Sequence, residues 1–84
     1  MWYVYIAECR NNTLYTGITT NMQRRLIQHR QGTGGAYTRT FGVTKILYCE
    51  EYPTKSDALK REIQIKALKR NKKLMLVHTQ HHAE

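Results

Sequence analysis

The sequence predicts an α/β domain of the α+β kind, a three-stranded, mostly antiparallel sheet flanked by helices in the order ββαβαα. Three observations carry this. Aromatic and β-branched residues alternate with period two over Trp2–Cys9 and again from Leu14 to Ile18, the pattern of strands with a buried face. Two stretches, near 21–31 and 54–70, repeat apolar residues at helical spacing behind helix-starting residues. Between them Val43–Tyr52 is a third strand-like run, which Pro53 closes off.

In the first strand Trp2, Val4 and Ile6 alternate against Tyr3, Tyr5 and Ala7. Asn11-Asn12 supplies turn chemistry, and Leu14, Thr16 and Ile18 then alternate against Tyr15 and Gly17, which completes a β-hairpin. The length of the hairpin loop decides where two tyrosines lie. A loop with an odd number of residues puts Tyr5 and Tyr15 on one face of the sheet, whereas a two-residue loop puts them on opposite faces. Thr20 with Gln23 resembles a capping box, and Met22, Leu26 and Arg30 recur at helical spacing until Gly32. The first helix should therefore span roughly 21–31. Gly32-Thr33-Gly34-Gly35 is a flexible connection to the third strand.

Thr54 with Asp57 starts the second helix, whose buried stripe is expected to be Leu59, Ile63 and Ala67, running to about Arg70. A shorter helical piece should follow from Lys72 to about His78, and residues 79–84 should form a mobile tail with nothing to bury. With no repeat and no linker, residues 1–78 are expected to be one domain. A chain of 84 residues buries only about 60% of its unfolded surface. Most of Trp2, Val4, Ile6, Leu14, Ile18, Leu26, Phe41, Leu47 and Leu59 should therefore enter a single core.

Charge narrows the class of partner. Fourteen Lys and Arg against six Asp and Glu give a net charge of +8, and eight of the fourteen lie at positions 55–73. A polyanion is the natural partner of such a field. The basic segment lacks the broad Trp/Phe/Leu face of a helix lying in a membrane surface, and no apolar run approaches the ~20 residues that cross a bilayer. Cys9 and Cys49 read as reduced thiols in a cytoplasmic protein.

Several side chains are suited to work on phosphate. Arg25 and His29 stand one turn apart on the first helix, a permanent fork of donors beside a group able to pass protons near neutral pH. Glu62 falls between Ala58 and Leu59 around the second helix, at the border of its buried stripe and one turn before Lys66. One carboxylate is enough to help hold a hard cation such as Mg²⁺. Each feature also has a plain structural explanation: tyrosines favour strands, arginines line solvated faces, and Glu-Lys at i,i+4 is an ordinary helix pair. Gly32 to Gly35 lacks the ending of a P-loop, and no Cys/His spacing matches a structural zinc site.

Taken in order, Tyr3-Val4-Tyr5, Tyr15-Thr16-Gly17, Arg25 with His29, and Glu62 on a later helix resemble the GIY-YIG nuclease superfamily. Within it, Thr16-Gly17-Ile18-Thr19-Thr20 leading into Arg24-Arg25-Leu26, and Ala58-Leu59-Lys60-Arg61-Glu62 leading into Lys66, are similar to the small single-domain bacterial branch related to the excision-repair nuclease subunit. The resemblance implies a metal-dependent nuclease acting on nucleic acid, DNA ahead of RNA, as a monomer with one Mg²⁺ or Mn²⁺ ion. It also implies roles: Glu62 as metal ligand, Tyr5 as general base, Tyr15 orienting water or phosphate, Arg25 stabilising the transition state, and His29 assisting proton transfer. A tyrosinate base at neutral pH needs nearby cations to depress its pKa from about 10. Tyr37, Thr38 and Arg39 beside the Gly-rich loop, with Lys66, Lys72 and Lys73, are the expected nucleic-acid contacts. Many members carry an Asn about a dozen residues after the glutamate, where this chain reads Lys72-Lys73-Leu74-Met75. Phosphate positioning would then fall to Lys72 or Lys73. A module that binds nucleic acid without cutting it is the alternative function.

Overall fold

A computed structural model describes residues 1–31 and 42–82 of the chain. The elements are β1 (Trp2–Cys9), β2 (Leu14–Thr19), α1 (Met22–Arg30), β3 (Val43–Tyr52), α2 (Lys55–Lys66) and α3 (Arg70–His82). The strands form one sheet in the order β2-β1-β3, antiparallel at both junctions. The expected ββαβαα order holds, and the sheet is wholly antiparallel rather than mostly so.

The hairpin loop is odd. The Cys9 N–H donates to the Thr13 carbonyl at 2.9 Å and the Asn12 N–H to the Cys9 carbonyl at 2.9 Å. Residues 10–12 thus form a three-residue loop with Asn12 left-handed at φ 63°, a conformation that Asn tolerates better than most residues. The resulting register sets Tyr5 opposite Gly17 and Ala7 opposite Tyr15. Tyr5 and Tyr15 therefore share one face.

β1 is buried on both sides, so there are two apolar clusters where one core was expected. Val4 and Ile6 pack with Ala58, Ile65 and Val77 beneath α2 and α3, joined by Trp2, Leu14, Ile18 and Leu47. On the other face Tyr5, Ala7, Cys9 and Val43 pack with Met22 and Leu26 of α1. Neither Cys9 nor Cys49 is in a disulfide. Phe41 lies outside the described residues.

Three helix expectations need correction. The N-cap of α1 is Asn21, whose side chain accepts from the Arg24 N–H at 3.0 Å. Thr20 cannot cap, because β2 runs to Thr19 and the extended residue before the helix is Asn21. In α2, capped by Thr54 as expected, the inward face is not Leu59, Ile63 and Ala67. Ala58 and Ile65 are buried, whereas Leu59 is exposed and Ile63 is 66% exposed. What fixes this rotation is a polar clamp to β3. Arg61 grips both oxygens of Glu50, Nε to Oε1 at 2.9 Å and Nη2 to Oε2 at 3.1 Å, while the Tyr48 and Tyr52 hydroxyls donate to the same carboxylate. Burial alone would raise the Glu50 pKa, but these bonds outweigh it and hold the carboxyl below its ordinary value. Glu50 thus anchors α2 to β3. Finally, α3 is longer than the expected 72–78 and takes in residues 79–82 of the expected tail. Buried Val77 and partly buried Leu76 hold it to the sheet, and Arg70 donates to the Asn12 carbonyl of the hairpin loop. Among the described residues no helix is long and apolar enough to cross a membrane.

Candidate active site

Tyr5 sits at the middle of the central strand and is 0% exposed. α1 crosses above it and turns Arg25 and His29, one helical turn apart, onto its hydroxyl. The Tyr5 oxygen lies 2.7 Å from His29 Nε2 and 3.2 Å from Arg25 Nε. An arginine nitrogen can only donate. The Tyr5 oxygen therefore accepts from Arg25, and toward a neutral His29 with its proton on Nδ1 it donates its own proton to Nε2. Tyr15 closes a triangle of rings, its centroid 6.2 Å from Tyr5 and 5.4 Å from His29.

Gly17 makes the triangle possible. A Cβ at this position would stand 2.6 Å from the Tyr5 hydroxyl and 3.0 Å from Tyr15 Cε1, so the phenol lies directly against the bare backbone of β2. Gly17→Ala is expected to push Tyr5 off its two partners, lowering activity at least ~10²-fold, the scale on which ~1 Å misplacements act. Cleavage assays checked by circular dichroism would show the loss in a chain that still folds.

Burial pushes the Tyr5 pKa up to about 12; the hydrogen bond and charge of Arg25 pull it down without prevailing, and Tyr15 and Glu62 add to the rise. The free protein thus holds a phenol, because Arg25 alone does not offset the burial. The His29 pKa is lowered to about 4, first by burial and then by Arg25. In Arg25 burial lowers the pKa, but the bond to Tyr5 outweighs it and the group is raised.

The His29 shift has a consequence for stability. Below pH 6.5 the unfolded chain takes up a proton that the folded site refuses, so stability falls as pH drops from 6.5 towards 4. Urea unfolding should show a loss of about 2 kcal/mol between pH 7 and pH 5. His29→Gln should flatten that slope; an unchanged slope would show that His29 titrates as if exposed.

Glu62 stands on α2, one position after Arg61. Its side chain is 16% exposed, pairs loosely with Lys66 at 3.6 Å, and acts on Tyr5 through space. No group of three or more His, Cys, Asp or Glu able to hold a metal exists among the described residues. This donor set suits a largely hydrated Mg²⁺ or Mn²⁺ that takes one protein carboxylate, and does not suit zinc. Lys66 and Lys73 line a hollow beside Tyr15, and Lys72 stays exposed on α3. Tyr37, Thr38 and Arg39 lie outside the described residues. Thr16 and Gly17 belong to the motif that carries the resemblance but were given no role there, although a glycine inside a strand signals close approach of another group.

A β2-β1-β3 sheet carrying this cluster at its centre defines a catalytic domain of known type. Residues 1–75 match the family model of the GIY-YIG catalytic domain, and the chain belongs to that family of nucleases. It is 43% identical over 75 residues to a UPF0213 protein of Staphylococcus saprophyticus, covering 89% of this chain and 92% of the relative. Against a UPF0213 protein of Clostridium perfringens it is 46% identical over 77 residues, 92% and 83% of the two chains. The solution NMR structure of the UPF0213 protein BH0048 from Bacillus halodurans superposes with a TM-score of 0.59 at 40% identity, covering 94% of this chain and 85% of that one.

Proposed function

We propose that the chain is a metal-dependent nuclease that hydrolyses phosphodiester bonds in DNA, selecting by structure rather than sequence, in DNA repair or processing in the cytoplasm. The observation that supports this most is the Tyr5 hydroxyl, held in a buried place between a permanent cation and a neutral imidazole. Phosphoryl transfer needs positive charge where negative charge develops and a route for one proton. Arg25 offers the first and the Tyr5–His29 pair the second.

Burial raises the Tyr5 pKa and so disfavours a standing tyrosinate, while the neutral His29 beside it offers a ring nitrogen to take a proton. The route is a relay: an attacking water gives its proton to the Tyr5 oxygen as Tyr5 gives its own to His29 Nε2. Tyr5 then acts as the general base without standing as an anion. Tyr15 orients water or phosphate at the open side of the triangle, and Glu62 would hold one Mg²⁺ or Mn²⁺. Bound there, the ion supplies positive charge to the phosphate oxygens. The field of +8 draws in the polyanion, and because one chain carries every member of the set, a monomer suffices.

The test is cleavage of labelled single-stranded, flapped and branched DNA, with RNA in parallel, in Mg²⁺, Mn²⁺ or EDTA. Cutting of DNA that stops in EDTA is expected. Tight, salt-sensitive binding to all of these without cutting under any condition would establish a binding module instead.

A further inference from the structure

Between β2, α2 and α3 lies a hollow of about 290 Å³ lined by Leu14, Tyr15, Thr16, Lys66 and Lys73. We infer that it seats a backbone phosphate of the nucleic acid next to the cut, gripped by Lys66 and Lys73 and by the Thr16 hydroxyl. The proposal rests on the nuclease reading for the identity of its ligand. Its volume is near the lower end for ligand pockets, ~300–1,000 Å³, which suits one nucleotide unit of a longer strand. Tyr15 is shared with the catalytic triangle, so whatever occupies the hollow is adjacent to the reacting centre.

Thr16 is the second, independent sign. It is 4% exposed, and its hydroxyl has no hydrogen-bond partner among the described residues. It belongs to the face of β2 that carries Leu14 and Ile18 towards α2, a place where valine would fill the same space without a polar atom. A buried hydroxyl left unpaired weakens the free fold, and it ceases to be a cost once a ligand oxygen accepts from it. Both cations are arranged for the same ligand. Lys66 is held only by a 3.6 Å contact to Glu62, with over half its side chain in solvent, so its ammonium is free to turn to a phosphate. Lys73 faces it from α3. An aspartate or glutamate side chain could meet two lysines as well, but the shared Tyr15 wall ties the occupant to the strand being cut.

The test pairs stability with binding. Thr16→Val is expected to raise the melting temperature by about 4–8 °C and to weaken binding of a short single-stranded DNA in EDTA about tenfold. Lys73→Gln should lower the log-log salt slope of binding by about 0.7, one phosphate contact fewer. In a scan with single methylphosphonate replacements, one position should weaken binding to the wild type more than it weakens binding to Thr16→Val. Unaltered affinity in both variants would overturn the proposal. So would a Thr16→Val protein that loses stability along with affinity, since its hydroxyl would then be structural. Wild-type cleavage of the same strand in Mg²⁺ reads the nuclease activity separately: cutting with unaltered variant affinities removes the phosphate seat alone, and the expected binding losses without cutting keep the seat and remove the nuclease.

Discussion

Glu62→Gln is expected to reduce metal-dependent cleavage by about 10³-fold or more with the fold intact. The substitution keeps the shape of the side chain and removes its charge, and a hard cation held mainly by water depends on the one protein carboxylate it takes. Metal charge at a transferring phosphoryl group contributes several kcal/mol, and each ~1.4 kcal/mol is a factor of ten in rate. The loss to stability should be small. The ion pair to Lys66 is long, 3.6 Å, and its lysine half exposed, so it contributes a few tenths of a kcal/mol at most. The melting temperature should therefore stay within about 2 °C. Isothermal titration with Mn²⁺ gives a reading independent of turnover: the wild type should bind one ion and the variant none measurable. Undiminished cleavage by a clean Glu62→Gln preparation would remove the metal-site assignment.

The fold was legible because its signals are local. Period-two alternation in residues 2–9 and 14–18 and a proline after Tyr52 are properties of adjacent residues, and the strands form where those signals place them. What was hidden depends on contacts between distant parts of the chain. The hairpin register stayed open between two alternatives, and the left-handed backbone of Asn12 closed it. The inward face of α2 was misread because Leu59, Ile63 and Ala67 are apolar at helical spacing. The actual rotation follows from a bond network between Arg61 and Glu50, eleven positions apart, against which two exposed apolar side chains weigh little. Sequence spacing brought Tyr5, Tyr15, Arg25 and His29 under suspicion, and the structure brings Arg25 and His29 to the Tyr5 oxygen with the Tyr15 ring beside them. Their protonation was not legible. Cations near a tyrosine suggest a lowered pKa, yet the packing of α1 over β1 buries the phenol so fully that desolvation wins.

That burial makes Tyr5→Phe the sharpest probe of the relay. Removing one oxygen takes away the group that accepts from Arg25 and donates to His29, and nothing larger than a hydroxyl changes. Each of those nitrogens loses a partner inside the protein, which should cost about 1–3 kcal/mol and lower the melting temperature by roughly 5–20 °C. Cleavage should fall far more than stability, by about 10²–10⁴-fold, the usual share of a general base. The two effects separate when rates are measured well below the melting point. If Tyr5 only filled space, Phe would fill it equally well and the rate would hold. Nuclear magnetic resonance of the His29 ring supplies the remaining discrimination. Burial is the main cause of its low pKa and Arg25 the second, and neither leaves with the Tyr5 oxygen. His29 should therefore remain neutral at pH 7 in the variant, so a lost rate cannot be ascribed to a histidine already protonated. A Tyr5→Phe enzyme that cuts at the wild-type rate would move the proton route elsewhere, and His29, with its acceptor nitrogen newly bared, would be the first place to look.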